Sequence, residues 1–158
     1  MERREFIALL GVAAAAMPQA AHAQSSAQPL PDSFASRIAG TWGFSSSVNT
    51  RRDGTTFDRW GLNPKGVLMF DSRGHYSQII VGSESRVFGA KTFCAFGTYT
   101  IDEPKKVLTT RIEACSASKL NGVVQTREII RLTANELKYT NPITGTGTTA
   151  EVMWKRLT

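Results

Sequence analysis

Few side chains in this sequence have the chemistry to act on another molecule, and their spacing limits what they can do. The chain has two histidines and two cysteines in 158 residues. His22 falls in the apolar N-terminal segment, so His75, Cys94 and Cys115 remain, too few for a transition-metal ligand set. No Gly-x-Ser-x-Gly elbow accompanies His75, so a serine triad has no nucleophile in the usual setting. No glycine-rich loop follows a strand and opens a helix, which leaves nucleotide phosphate binding without support. The expectation is therefore no cofactor and no metal. Tyr99, Glu113, Glu128 and His75 are the residues that could serve as acid or base in a cavity-based isomerase, cyclase or lyase. Arg127 and Arg131 share one face of a strand with Val123, Gln125 and Ile129. The length of the preceding loop decides whether that face points inward. An inward arginine binds a carboxylate through two parallel hydrogen bonds, while an outward one is a solvated charge paired by Glu113 or Glu128.

The elements that must position these residues are strands. From Gly40 onward, runs rich in aromatic and β-branched residues alternate with turn chemistry, and no long stretch has helical spacing. The pattern predicts eight strands: Thr41–Val48, Lys65–Asp71, His75–Val81, Thr92–Ile101, Val107–Cys115, Val123–Leu132, Glu136–Thr140 and Thr149–Leu157. Ser33 to Ile38 has room for one helical turn ahead of them. Ser72-Arg73-Gly74, Asp102–Lys106, Asn121-Gly122 and Thr133–Asn135 are tight links, and tight links make antiparallel neighbours. Eight such strands leave two open edges unless the sheet closes. The expected fold is all-β, an eight-stranded antiparallel up-and-down β-barrel whose interior suits one small ligand. A two-sheet β-sandwich is the alternative.

A turn centred on Pro104 and Lys105 sets a register in which Tyr99 faces Thr110, Ile101 faces Leu108 and Cys94 faces Cys115. In an oxidising compartment that opposition predicts a Cys94–Cys115 disulfide on the outer face. Phe93, Ala95, Tyr99 and Ile101, with Leu108, Thr110, Ile112 and Ala114, then form the inner face.

The compartment is read from the N-terminus. Arg3 and Arg4, an apolar run from Phe6 to Met17, and Ala21-His22-Ala23 compose a cleaved export signal over residues 1–23. Arg3-Arg4-Glu5-Phe6-Ile7 has the form of the twin-arginine signal of bacteria, so the expected location is periplasmic or secreted. Residues 24–37 read as a flexible leader and 38–158 as the folded domain, with no transmembrane segment after cleavage. The net charge of +6 comes from 19 basic and 13 acidic residues. The basic residues are scattered, with Arg51-Arg52, Lys105-Lys106 and Lys155-Arg156 as adjacent pairs beyond the signal, so no nucleic-acid stripe forms.

Gly40-Thr41-Trp42, the stretch Gly61–Phe70 followed by Gly74-His75-Tyr76-Ser77, Gly97-Thr98-Tyr99, and Trp154-Lys155-Arg156 together resemble the lipocalin-like domain family of bacteria and fungi. The resemblance spans Ile38 to Leu157. It implies a closed barrel with affinity for a small hydrophobic or amphipathic ligand and no single activity. It also implies a floor in which Trp42, Trp154 and Arg156 meet, with Arg156 over Trp42. The expected cavity wall comprises Phe44, Phe70, Tyr76, Phe93, Tyr99, Ile112, Arg127 and Tyr139. A third reading is a protein-interaction module that uses the loops Asn49–Gly61 or Gly82–Lys91.

Overall fold

The computed structural model describes residues 33–83, 91–141 and 147–158. The expected export signal, most of the expected leader and most of the Gly82–Lys91 loop lie outside the described residues. A short helix, α1 (Phe34–Ile38), comes first, and Ser33 and Ser36 close its N-terminus reciprocally. Nine strands follow: β1 (Gly40–Thr50), β2 (Thr56–Phe57), β3 (Lys65–Phe70), β4 (His75–Val81), β5 (Thr92–Asp102), β6 (Val107–Cys115), β7 (Val124–Leu132), β8 (Glu136–Asn141) and β9 (Thr149–Arg156). A 3₁₀ turn, Ser118–Leu120, lies between β6 and β7.

Every neighbouring pair is antiparallel, and β9 pairs back on β1 from Trp42↔Arg156 to Thr50↔Thr149. That pairing closes an eight-stranded up-and-down barrel and excludes the sandwich. The two-residue β2 is the addition, pairing only with Asn49 and Thr50. β1 pairs with β3 over Gly40–Gly43 alone. The core is continuous through the barrel, from Ile38, Trp42 and Trp154 to Tyr76, Tyr139 and Trp60.

Three bulges re-aim side chains, and each changes what alternation alone predicts. In β6 the extra residue is Glu113. Gly97 faces Ile112 as the Pro104–Lys105 turn requires, but Phe96 faces Ala114 and Ala95 faces Cys115. Cys115 thus lies on the inner face, while Cys94 stays on the outer side with Phe96, its carbonyl accepting from Ser116 N at 2.8 Å. Both thiols are free, so the expected Cys94–Cys115 disulfide is corrected: one extra residue puts the pair on opposite faces. Ala114, expected inside, turns outward for the same reason. Gly97 makes the bulge possible, because a Cβ there would lie 2.0 Å from the carbonyl oxygen of Arg111.

The second bulge, between Ile129 and Arg131, splits the face that the two arginines were expected to share. The third, at Ser45 in β1, turns Ser47 and Asn49 inward and leaves Val48 on the outside.

Candidate functional site in the barrel interior

The two ends of the barrel differ. At one end the chain enters and leaves, and the turns after β3, β5 and β7 are tight. Trp42 is fully buried there and donates its indole N–H to the Ile38 carbonyl at 2.8 Å. The Arg156 guanidinium lies 4.1 Å from the centre of the Trp42 ring. It also donates to the carbonyls of Ala39, at 2.9 Å, and of Arg37 and Ala134. A guanidinium that satisfies three carbonyls while stacked on an indole makes this end a plug rather than an opening. Tyr99 belongs to this plug. Its hydroxyl donates to the Asp71 carbonyl at 2.7 Å and its ring meets Phe70 edge-on at 4.8 Å.

The middle and far part of the interior is more polar. The buried polar residues are Ser47, Asn49, Gln78, Thr110, Arg127 and Thr148. Arg127 is the most consequential, because it is a full charge that is only 7% exposed. The β6–β7 register sets Arg127 opposite Leu108 and Gln125 opposite Thr110 on the inner wall. A two-residue turn at Asn121-Gly122 would put the same face inward, and the longer loop with its 3₁₀ turn shifts the register by an even number of residues and so keeps it there. One guanidinium nitrogen donates to the Thr110 hydroxyl, another to the Gln125 side-chain oxygen at 2.7 Å. The group also lies 5.4 Å from the centre of the Tyr139 ring. Arg127 Nε is buried with no hydrogen-bond partner among the described residues, and the same holds for Asn49 Oδ1.

The tyrosines beside Arg127 are the neutral members of the cluster. Burial raises the pKa of the Tyr139 hydroxyl, with Arg127 pulling it the other way, and Tyr139 accepts from the Trp154 indole at 3.1 Å. Burial also raises Tyr76, against the opposing influence of Arg127 and a hydrogen bond with Thr110. The result is a guanidinium among neutral hydroxyls and an amide. No carboxylate is among the buried residues described. A buried cation in such surroundings lacks its usual counter-ion, and an entering anion would supply one.

The other sequence-derived candidates fall elsewhere. Glu113 and Glu128 are exposed. His75 is exposed at the start of β4, its Nδ1 3.0 Å from Asp71 Oδ2. Arg131 points outward and pairs with Glu136 at 3.0 Å. The acid–base candidates are thus not gathered in the interior. Of the expected wall, Tyr76, Ile112, Arg127 and Tyr139 are buried, with Phe70 and Tyr99 toward the plug. Phe44 meets the Trp154 ring edge-on at 5.2 Å, and Phe93 packs on the margin of the core.

Trp60 is the interior residue that sequence reasoning missed. It sits in the loop between β2 and β3, outside any alternating run, yet is only 6% exposed. Its backbone carbonyl accepts from Ser83 N at 3.0 Å, and a Cβ on Gly82 would lie 2.5 Å from that oxygen. The pairing of a large aromatic with a glycine that admits its backbone could have flagged it.

No protein-family model matches the chain, and none of the curated proteins matches it closely. Solved structures do match in shape. A lipocalin-like protein from Bacteroides uniformis is 15% identical, with a TM-score of 0.47, covering 77% of this chain and 99% of that one. Bovine odorant binding protein, solved with a selenium-containing odorant, is 14% identical with a TM-score of 0.46, covering 83% of this chain and 77% of that one. A redesigned β-barrel is 18% identical with a TM-score of 0.48, covering 78% and 95% respectively.

Proposed function

We propose that this protein is an exported carrier or sensor that takes up a small amphipathic molecule with an anionic head, its apolar part against the aromatic interior and its head on Arg127. The observation that carries this reading is the buried guanidinium with an unpartnered Nε and no carboxylate among its described neighbours. Apolar burial supplies about 25 cal/mol per Å², and the charge-assisted pair fixes orientation. Export rests on the residue pattern of positions 1–23. Mass spectrometry of protein recovered from the producing cell checks it: a mature chain starting at Gln24 supports export, and an intact residue 1–23 segment counts against it.

The binding test compares dodecanoate with dodecanol as competitors for a neutral apolar dye. Dodecanoate is expected to bind saturably at one site, and Arg127→Met to weaken it about 10- to 100-fold, since hydrogen bonds to a charged group are worth roughly 1.5–3 kcal/mol. Dodecanol should change little. Equal loss for both molecules, or no uptake of either, defeats the reading.

A further inference from the structure

The opposite end from the plug carries a second basic feature, independent of Arg127. Arg51, Arg52 and Arg59, with Asp53, Phe57, Gly147 and Thr148, line a cleft of about 500 Å³ between the β1–β2 hairpin and the start of β9. That volume is in the range of small-molecule sites and exceeds what a bare ion needs.

The nearby acids are committed elsewhere. Asp53 accepts from the Thr55 backbone N–H at 2.9 Å and the Thr55 hydroxyl at 2.7 Å, which depresses its pKa and holds it within the hairpin turn. Asp58 accepts from the Trp60 N–H at 2.7 Å in the same way. Each carboxylate thus folds back on the residue two positions ahead, the usual local habit of aspartate. Arg51 keeps a Coulombic attraction to Asp53, but the hydrogen bonds of Arg51 and Arg59 go to neutral groups. Arg51 lies 4.2 Å from the Phe57 ring centre and donates to Thr55 Oγ1 at 3.1 Å. Arg59 donates to Thr148 Oγ1 at 3.4 Å, and partial burial lowers its pKa. Arg52 lies where a side chain on residue 147 would be: a Cβ on Gly147 would come within 3.0 Å of Arg52 Nε. Three guanidinium groups thus face one cleft against one carboxylate, a surplus of two positive charges.

We propose that this rim cleft is a binding site for an organic phosphate, with Arg52 and Arg59 holding the phosphoryl oxygens and the apolar edge of Phe57 against the organic part. A phosphate monoester carries about two negative charges at neutral pH, matching the surplus. Planar guanidinium groups bind its oxygens bidentately. The phosphate belongs either to a small soluble ester or to a lipid headgroup presented at the rim, and the two are separated by experiment.

The test is calorimetric titration of the full chain with phenyl phosphate, with inorganic phosphate and phenol as comparators. Cosedimentation with phosphatidylglycerol and phosphatidylcholine vesicles runs in parallel. Saturable one-to-one binding of phenyl phosphate, weakened at least tenfold in Arg52→Gln and in Arg59→Gln and unchanged in Lys105→Gln at the other end of the barrel, is the expected result. Binding confined to phosphatidylglycerol vesicles, and lost in the same two variants, also supports the site and assigns the phosphate to a headgroup. Arg52 is exposed, so Arg52→Gln decides the matter alone if Arg59→Gln fails to fold. Binding that persists in Arg52→Gln, or no binding of either phosphate source, overturns the proposal.

Discussion

Arg127 is where stability and function pull in different directions. A guanidinium taken out of water loses hydration that Thr110, Gln125 and the Tyr139 face only partly replace. An unbranched apolar chain of similar length removes that cost and leaves the fold intact. Arg127→Met should therefore unfold in urea at the same midpoint as the parent or a higher one, while losing anionic ligand. A drop of more than about 2 kcal/mol would mean that the charge is structural, because removal of a well-paired buried charge costs roughly 3–5 kcal/mol. Sequence alone leaves the direction of Arg127 open. Alternation puts it on the same side as Arg131, and only the bulge after Ile129 separates the two. The rim cleft was still less visible. Arg51-Arg52 stands out as a pair, but Arg59 joins it only once β2 has paired with the end of β1 and the chain after it lines the same cleft.

Strand positions were legible because turn chemistry is local. Gly74, the Pro104 turn and the Thr133–Asn135 link each mark a boundary to within a residue or two. Bulges are not local in that sense: a bulge is one residue too many between two partners, visible only when both strands are aligned. Its one signature here is Gly97, which looks like ordinary strand glycine until its partner strand is in place. Gly97→Ala drives a methyl group into the Arg111 carbonyl, 2.0 Å away, and the Glu113 N–H, 2.9 Å away. The expected cost is about 3 kcal/mol, read as a lower urea midpoint. The same substitution on Gly54, where a Cβ meets nothing within 4 Å but φ is +83°, carries only a left-handed backbone penalty that Gly97 does not share, and so sets a lower mark. If Gly97→Ala costs no more than Gly54→Ala, the close approach at the bulge is not what constrains residue 97.

The whole molecule keeps all three of its tyrosines inside. Burial raises the pKa of Tyr76, Tyr99 and Tyr139 above the ordinary value of 10.0. For an acid whose pKa is higher folded than unfolded, the stabilisation is complete below the unfolded value and disappears as pH climbs through the folded one. Absorbance titration at alkaline pH should therefore show the tyrosines of the native protein ionising at higher pH than those of the unfolded chain. A tyrosine that titrates normally near pH 10 would place its hydroxyl in solvent and contradict the packed interior.

The β1–β9 pairing has one more result. The seam joins residues about a hundred positions apart in the chain, so the first long strand waits for the last before its outer hydrogen-bonding groups are satisfied. Until β9 emerges, β1 offers a bare ladder to any neighbouring polypeptide, and a nascent or shortened chain would be prone to stick to its own kind. Timing, as much as composition, thus governs whether this ribbon ends as a ring or as an aggregate.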